Sequence, residues 1–207
     1  MKIVLYDYWR SSAAYRVRIA FNLASLPYQS LHLDLLAGEH RNPGHLERNP
    51  QGLVPVAEIN GHVFTQSLAI IEFLDEAGHF SFLPKDLLGR ARVRAISYVI
   101  AMETHPVCNL SVAKHAEDAS GGHIAMKDWM ERFIPRSLEA LEAMVAESGG
   151  HCSGDRITMA DVCLVPQVYN ARRWKLDLDP YPSVSRISER LETLPAFRDA
   201  HPDLFRP

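Results

Sequence analysis

The chain has 207 residues and a net charge of −3, with 47% apolar and 23% charged residues. That length and balance describe a globular chain with room for one large core or two small ones, and no basic block suggests nucleic acid or an anionic membrane. No apolar run approaches the roughly 18 residues a membrane helix needs, and Arg10 interrupts the apolar opening before a signal-peptide core can form.

The elements follow in order. Ile3-Val4-Leu5-Tyr6 is an apolar run suited to a buried strand. Tyr15 to Ala24 places Val17, Ala20, Phe21 and Ala24 at helical spacing. Ser30 to Leu35 alternates apolar and polar residues, as a half-exposed strand does. Val54 to Ile59 and His62 to Phe64 flank Asn60-Gly61, which predicts a hairpin. Leu68 to Leu74 then reads as a helix with Ser67 as its N-cap.

Residues 81–89 read as a linker between an α/β domain of residues 1–80, ordered β-α-β-α-β-β-α, and an all-helical domain of residues 90–207. Arg90 to Lys114 and His123 to Ala146 are long amphipathic patterns in which Pro106 and Pro135 predict kinks. Thr158-Met159-Ala160-Asp161 resembles a capping box opening a helix toward Arg173, and Pro182 and Pro195 stand where two more helices begin.

Cys108, Cys152 and Cys163 are an odd number at spacings that suit neither a disulfide framework nor a metal site. They are expected to be small buried hydrophobes in a reducing compartment, the cytoplasm. The ten histidines include His40 and His45, five apart, but no cluster with ligand spacing, so no metal is expected.

Three places in the first domain suit one kind of ligand. Ser11-Ser12, between the first strand and first helix, would join hydroxyls to the free N–H groups and positive dipole of a helix start, a corner that stabilises an anion. Val54-Pro55 opens the third strand. A Pro there is either a strand-edge residue or a cis peptide that turns the preceding backbone toward an extended peptide ligand. Gln66-Ser67 form a second helix start, apt for a carboxylate.

These residues carry a resemblance. Arg10-Ser11-Ser12-Ala13-Ala14-Tyr15-Arg16-Val17-Arg18-Ile19-Ala20 resembles the Ser-Ser-Cys-x-Trp-Arg-Val-Arg-Ile-Ala signature of zeta-class glutathione transferases. The likeness continues through Asn49 to Pro55, Gln66 to Glu72, Asn109 to Val112 and Thr158 to Gln167. It implies a thioredoxin-like N-terminal domain, an all-α C-terminal domain, glutathione as cofactor and a homodimer.

By position, the resemblance implies that Ser11 and Ser12 activate the glutathione sulfur. Val54, beside a cis Pro55, would pair with the cysteinyl backbone. Gln66 and Ser67 would hold the γ-glutamyl end, and His40 would reach the glycyl carboxylate. His105, Asn109 and Ser111 would line the same cleft, while Arg10 and Arg173 would hold the carboxylates of a small maleyl dicarboxylate. Arg16, Arg18 and Arg172 read as surface charges or helix salt bridges, and Trp174 as core.

The implied reaction is isomerisation of maleylacetoacetate by reversible thiolate addition. Maleylpyruvate isomerisation, glutathione conjugation or dehalogenation of α-haloacids, and a non-catalytic binding module use the same frame. Ala13 stands where the family commonly has Cys, which removes a neighbouring thiol but not the one glutathione brings.

Overall fold

A computed structural model describes residues 1–207, which divide into two compact units. The first is Met1–Phe82 together with Thr193–Pro207, and the second is Leu83–Glu192. The helical domain expected over residues 90–207 therefore gives its last fifteen residues to the first unit. The expected linker is divided too: Phe82 belongs to the first unit and Leu83 to the second, and both are buried.

The first unit runs β1 (Ile3–Asp7), α1 (Ser12–Leu23), β2 (Gln29–His32), a 3₁₀ turn at Glu39–Arg41, α2 (Pro43–Arg48), β3 (Val56–Ile59), β4 (His62–Thr65) and α3 (Ser67–Glu76). The expected order of strands and helices is thus observed. The sheet order is β2-β1-β3-β4, with β1 parallel to β2 and antiparallel to β3, and β3 antiparallel to β4. Asn60 and Gly61 both have positive φ, 50° and 85°, the backbone that a tight two-residue hairpin requires. The second strand is shorter than expected. After His32 the Asp34 carboxylate accepts the N–H groups of Leu36 and Ala37 and bends the chain into a turn.

Helix α1 is buried from Ser12 to Phe21 on every side. It packs on α3, and the C-terminal segment covers it: Tyr15 Oη donates to the Phe197 carbonyl (3.4 Å), and Asn22 Nδ2 donates to that of Ala196 (3.0 Å). Arg16 and Arg18, read as surface charges, are therefore 2% and 0% exposed. Arg18 donates to Asp7 Oδ2 at 2.7 Å and to the Ala200 and Trp9 carbonyls at 3.1 Å each. Arg172 does pair at the surface, with Glu192 at 2.7 Å.

The second unit comprises α4 (Leu87–Tyr98), a π-helical stretch Val99–Thr104, α5 (His105–Val107), α6 (Leu110–Ala119), α7 (Met126–Val145), α8 (Met159–Arg173) and α9 (Pro182–Glu192); α10 (Pro195–Arg198) and a 3₁₀ turn at Pro202–Phe205 return to the first. The long helix expected from Arg90 to Lys114 is divided around Pro106. Proline cannot donate to the carbonyl one turn back, and the turns before it widen, with Thr104 Oγ1 donating to the Val99 carbonyl at 2.8 Å. Pro135, by contrast, lies inside a continuous α7. Helix α8 is buried along nearly its whole length and forms the centre of this unit. Its start is held by the Asp161 carboxylate, which accepts the Thr158 N–H, the Thr158 hydroxyl and the Cys152 N–H at 2.8 Å each.

Candidate active site

Sheet register gathers the first unit's candidate residues. Tyr6 of β1 lies opposite Val56 of β3, Val56 lies opposite Thr65 of β4, and Asp7 lies opposite His32 of β2. The segments that leave or enter the sheet there are Tyr8–Ser11, the loop with His40, Val54-Pro55 and Gln66-Ser67. All four therefore cluster at one end of the sheet, with neighbouring strands about 4.8 Å apart.

Ser11 is the N-cap of α1. Its backbone is extended, and its Oγ accepts the Ala14 N–H at 3.2 Å, which leaves the hydroxyl proton free to donate outward. Ser12 is the first helical residue and is buried. A helix start of this kind presents N–H groups without intrahelical acceptors, so hydroxyl and helix dipole act on one point.

The Val54–Pro55 peptide is cis. The carbonyl before it, that of Leu53, accepts from both His45 Nε2 (3.0 Å) and Asn49 Nδ2 (2.9 Å). His45 and Asn49, one helical turn apart, thus hold the strand entrance. Neither role was visible in the sequence, although the i, i+4 spacing of two donors before an X-Pro step is a usable signal.

Gln66 occupies the N-cap position of α3 with φ at 66° and makes no cap bond. Ser67, expected to be the cap, is instead the first helical residue, and its hydroxyl accepts from Arg16 Nη1 at 3.3 Å. A non-glycine residue held at positive φ is sterically costly and is commonly kept for a site. Gln66 Nε2 donates to Gln51 Oε1 at 2.8 Å. Arg16 therefore links α1, opened by Ser11, to the residue that starts α3.

His40 is half-buried in the 3₁₀ turn. Burial, then Arg41 and His45, depresses its pKa, so at neutral pH it is an uncharged hydrogen-bond donor rather than a cation. Arg10 is held by Tyr8, whose hydroxyl accepts from its Nε (3.2 Å) and Nη2 (2.8 Å), and it lies over the Trp9 ring at 4.9 Å.

The second unit carries the other candidates. His105 begins α5. Asn109 caps α6, its Oδ1 accepting the N–H and hydroxyl of Ser111 at 3.0 Å each, so the Asn109 amide N–H groups remain as donors. Arg173 ends α8, donates to Asn170 Oδ1 at 3.0 Å and lies over the Trp174 ring, which is half-buried.

The protein's own thiols are poor nucleophiles. All three cysteines are buried, and burial pushes the Cys108 thiol up to about 11 and Cys152 well above the usual range. No group of His, Cys, Asp or Glu could hold a metal ion, and no helix is long and apolar enough to cross a membrane. The hydroxyl at this helix start suits an anion, and the protein's own buried cysteines supply no exposed thiolate there.

Residues 1–76 match the glutathione S-transferase N-terminal domain, and residues 105–199 match the glutathione S-transferase C-terminal domain. The chain is 54% identical over 208 residues to the maleylacetoacetate isomerase of Rhizobium meliloti (strain 1021), covering 99% of this chain and 98% of that protein. Among solved structures it is similar to a holo maleyl pyruvate isomerase, a bacterial zeta-class glutathione S-transferase (38% identity, TM-score 0.92, covering 98% and 97%). It is also similar to the maleylacetoacetate isomerase of Anaeromyxobacter dehalogenans 2CP-1 with dicarboxyethyl glutathione and citrate bound in the active site (43% identity, TM-score 0.87, covering 98% and 95%).

Proposed function

Since the chain belongs to the glutathione S-transferase family, in its zeta-class branch of maleylacetoacetate isomerases, we infer that it catalyses the glutathione-dependent cis–trans isomerisation of maleylacetoacetate to fumarylacetoacetate. Bound glutathione supplies a thiolate that adds reversibly to the maleyl double bond and leaves after rotation about the resulting single bond, so none is consumed.

The chain's residues make that thiolate available at neutral pH. Lowering a thiol pKa of about 8.5 by about two units takes about 2.7 kcal/mol of preference for the anion. A helix N-terminus contributes roughly 0.3–1 kcal/mol, or up to about 2 when partly buried. A hydroxyl hydrogen bond to an anion contributes about 1.5–3 kcal/mol. Ser11 brings both together. Its Oγ accepts from the helix while its proton points away from that bond, and it is less buried than Ser12. Ser11 is therefore the sulfur's partner, and Ser12 supports the helix start.

The remaining roles follow the family pattern. Val54 offers its backbone beside cis Pro55 to the cysteinyl unit. Gln66 and Ser67 take the γ-glutamyl end, with Arg16 polarising the Ser67 hydroxyl. His40 donates as a neutral imidazole to the glycyl carboxylate. The zeta-class resemblance assigns His105, Asn109 and Ser111 to glutathione as well. Arg10 and Arg173 receive substrate carboxylates and the charge pushed onto oxygen during addition, a task suited to guanidinium. The protein acts in the cytoplasm as a homodimer.

The observation that carries this reading is the sheet register that places Ser11, Val54 and Gln66 at one end of the sheet in a protein without a reactive thiol of its own. Turnover of maleylacetoacetate with and without glutathione tests it. The expected result is complete dependence on glutathione with no net loss of free thiol. Turnover in its rigorous absence, or stoichiometric thiol consumption, overturns it.

A further inference from the structure

Trp9 carries two guanidiniums. Arg10 Cζ lies 4.9 Å and Arg206 Cζ 5.5 Å from the centre of the indole. Neither pairs with a carboxylate: Arg10 donates only to the Tyr8 hydroxyl, and Arg206 makes only the ring contact. The acid nearest to Arg10 along the chain, Asp7, is engaged with Arg18 at 2.7 Å.

This arrangement is built. The Trp9 carbonyl accepts from buried Arg18, which also donates to the Ala200 carbonyl and stacks on Phe205 at 4.4 Å. The same buried guanidinium thus anchors the loop that carries Trp9 and the segment that delivers Arg206. Two like charges brought to one ring without a counter-charge repel each other, and a bound anion relieves that repulsion. The indole screens neither cation, since its faces attract both.

We propose that Arg206 is a substrate-binding residue that joins Arg10 around Trp9 so that each guanidinium takes one carboxylate of a dicarboxylate, and the pair so selects dianionic over monoanionic ligands. The inference rests on the reading of Arg10 as a carboxylate receptor, and it deepens that reading by adding the C-terminal segment to the substrate site.

Succinate, an unreactive dicarboxylate, and succinamate, its monoanionic counterpart, serve as probes in titrations of tryptophan fluorescence without glutathione. The wild type is expected to bind succinate more tightly than succinamate. Arg206→Ala should weaken succinate about five- to tenfold and succinamate less than about twofold, the loss of one charge contact in a partly solvated setting. Arg206→Lys should restore succinate binding to within about twofold of wild type, and the Arg206→Ala KM for the maleyl substrate should rise in parallel with glutathione affinity unchanged. Arg206 is exposed, so the variant's thermal midpoint should match that of wild type. The proposal is overturned if the wild type does not bind succinate, if Arg206→Ala binds it as well as wild type, or if both probes weaken alike. Failure of the isomerase reading shows separately, as wild-type protein that binds succinate but turns over no maleyl substrate.

Discussion

Arg18 Nη1 lies 2.7 Å from Asp7 Oδ2, with side chains 0% and 2% exposed. Removing one member of a buried pair leaves the other charged and unpaired, which costs about 3–5 kcal/mol. Arg18→Met is expected to lose that much in urea denaturation. The double variant Arg18→Met/Asp7→Leu should recover part of the loss, because neither charge is then stranded. A loss below about 1 kcal/mol in the single variant would mean that the pair is solvated in solution.

Ser11→Ala removes the outward hydroxyl while leaving the helix start. The bound glutathione thiol should then ionise at higher pH, read from ultraviolet absorbance of the thiolate. At neutral pH kcat/KM should fall about 10- to 100-fold, the equivalent of about 1.5–3 kcal/mol. An unchanged ionisation curve would move the sulfur contact to Ser12.

At Gln66 stability and affinity should separate. Its φ of 66° suits glycine better than glutamine. Gln66→Gly is therefore expected to leave the thermal midpoint unchanged or raised, while the glutathione KM increases several-fold through loss of the side chain. A variant both less stable and unaltered in KM would assign Gln66 to packing.

His40 has a pKa lowered first by burial and then by Arg41 and His45. Its charged form is therefore lost before the pH reaches the ordinary histidine value of about 6.5. A contact dependent on that charge would weaken as pH rises through this range, whereas a neutral donor keeps it. The glutathione KM should thus stay flat from about pH 6.5 to 8 in wild type. His40→Gln, which keeps a neutral donor, should lie within about twofold of it. A KM that climbs across this range, and no longer does so in His40→Gln, would show that the charged form is the one in use.

The strands, the hairpin and the serine corner were legible because each rests on local chemistry: alternation, an Asn-Gly pair, hydroxyls between strand and helix. The burial of Arg16 and Arg18 was not, because it depends on Phe197, Ala200 and Phe205 returning from roughly 180 residues away in sequence. One local trace existed. Between Ala13 and Phe21 the two arginines are the only charged residues among apolar and aromatic ones on every side of the helix, which leaves them no polar face. The displacement of Ser67 from cap to first helical residue was equally hidden, since it turns on the positive φ of Gln66.

The first unit is made from both ends of the chain. During synthesis its sheet and first helix emerge before the second unit, but the carbonyl of Ala200 and the ring of Phe205 that complete Arg18's surroundings emerge after it. Domains ordinarily mature from the N-terminus as the ribosome advances. Here the order is inverted: the continuous helical unit can be finished first, and the sheet-bearing unit becomes whole only after the segment from Thr193 onward has followed it.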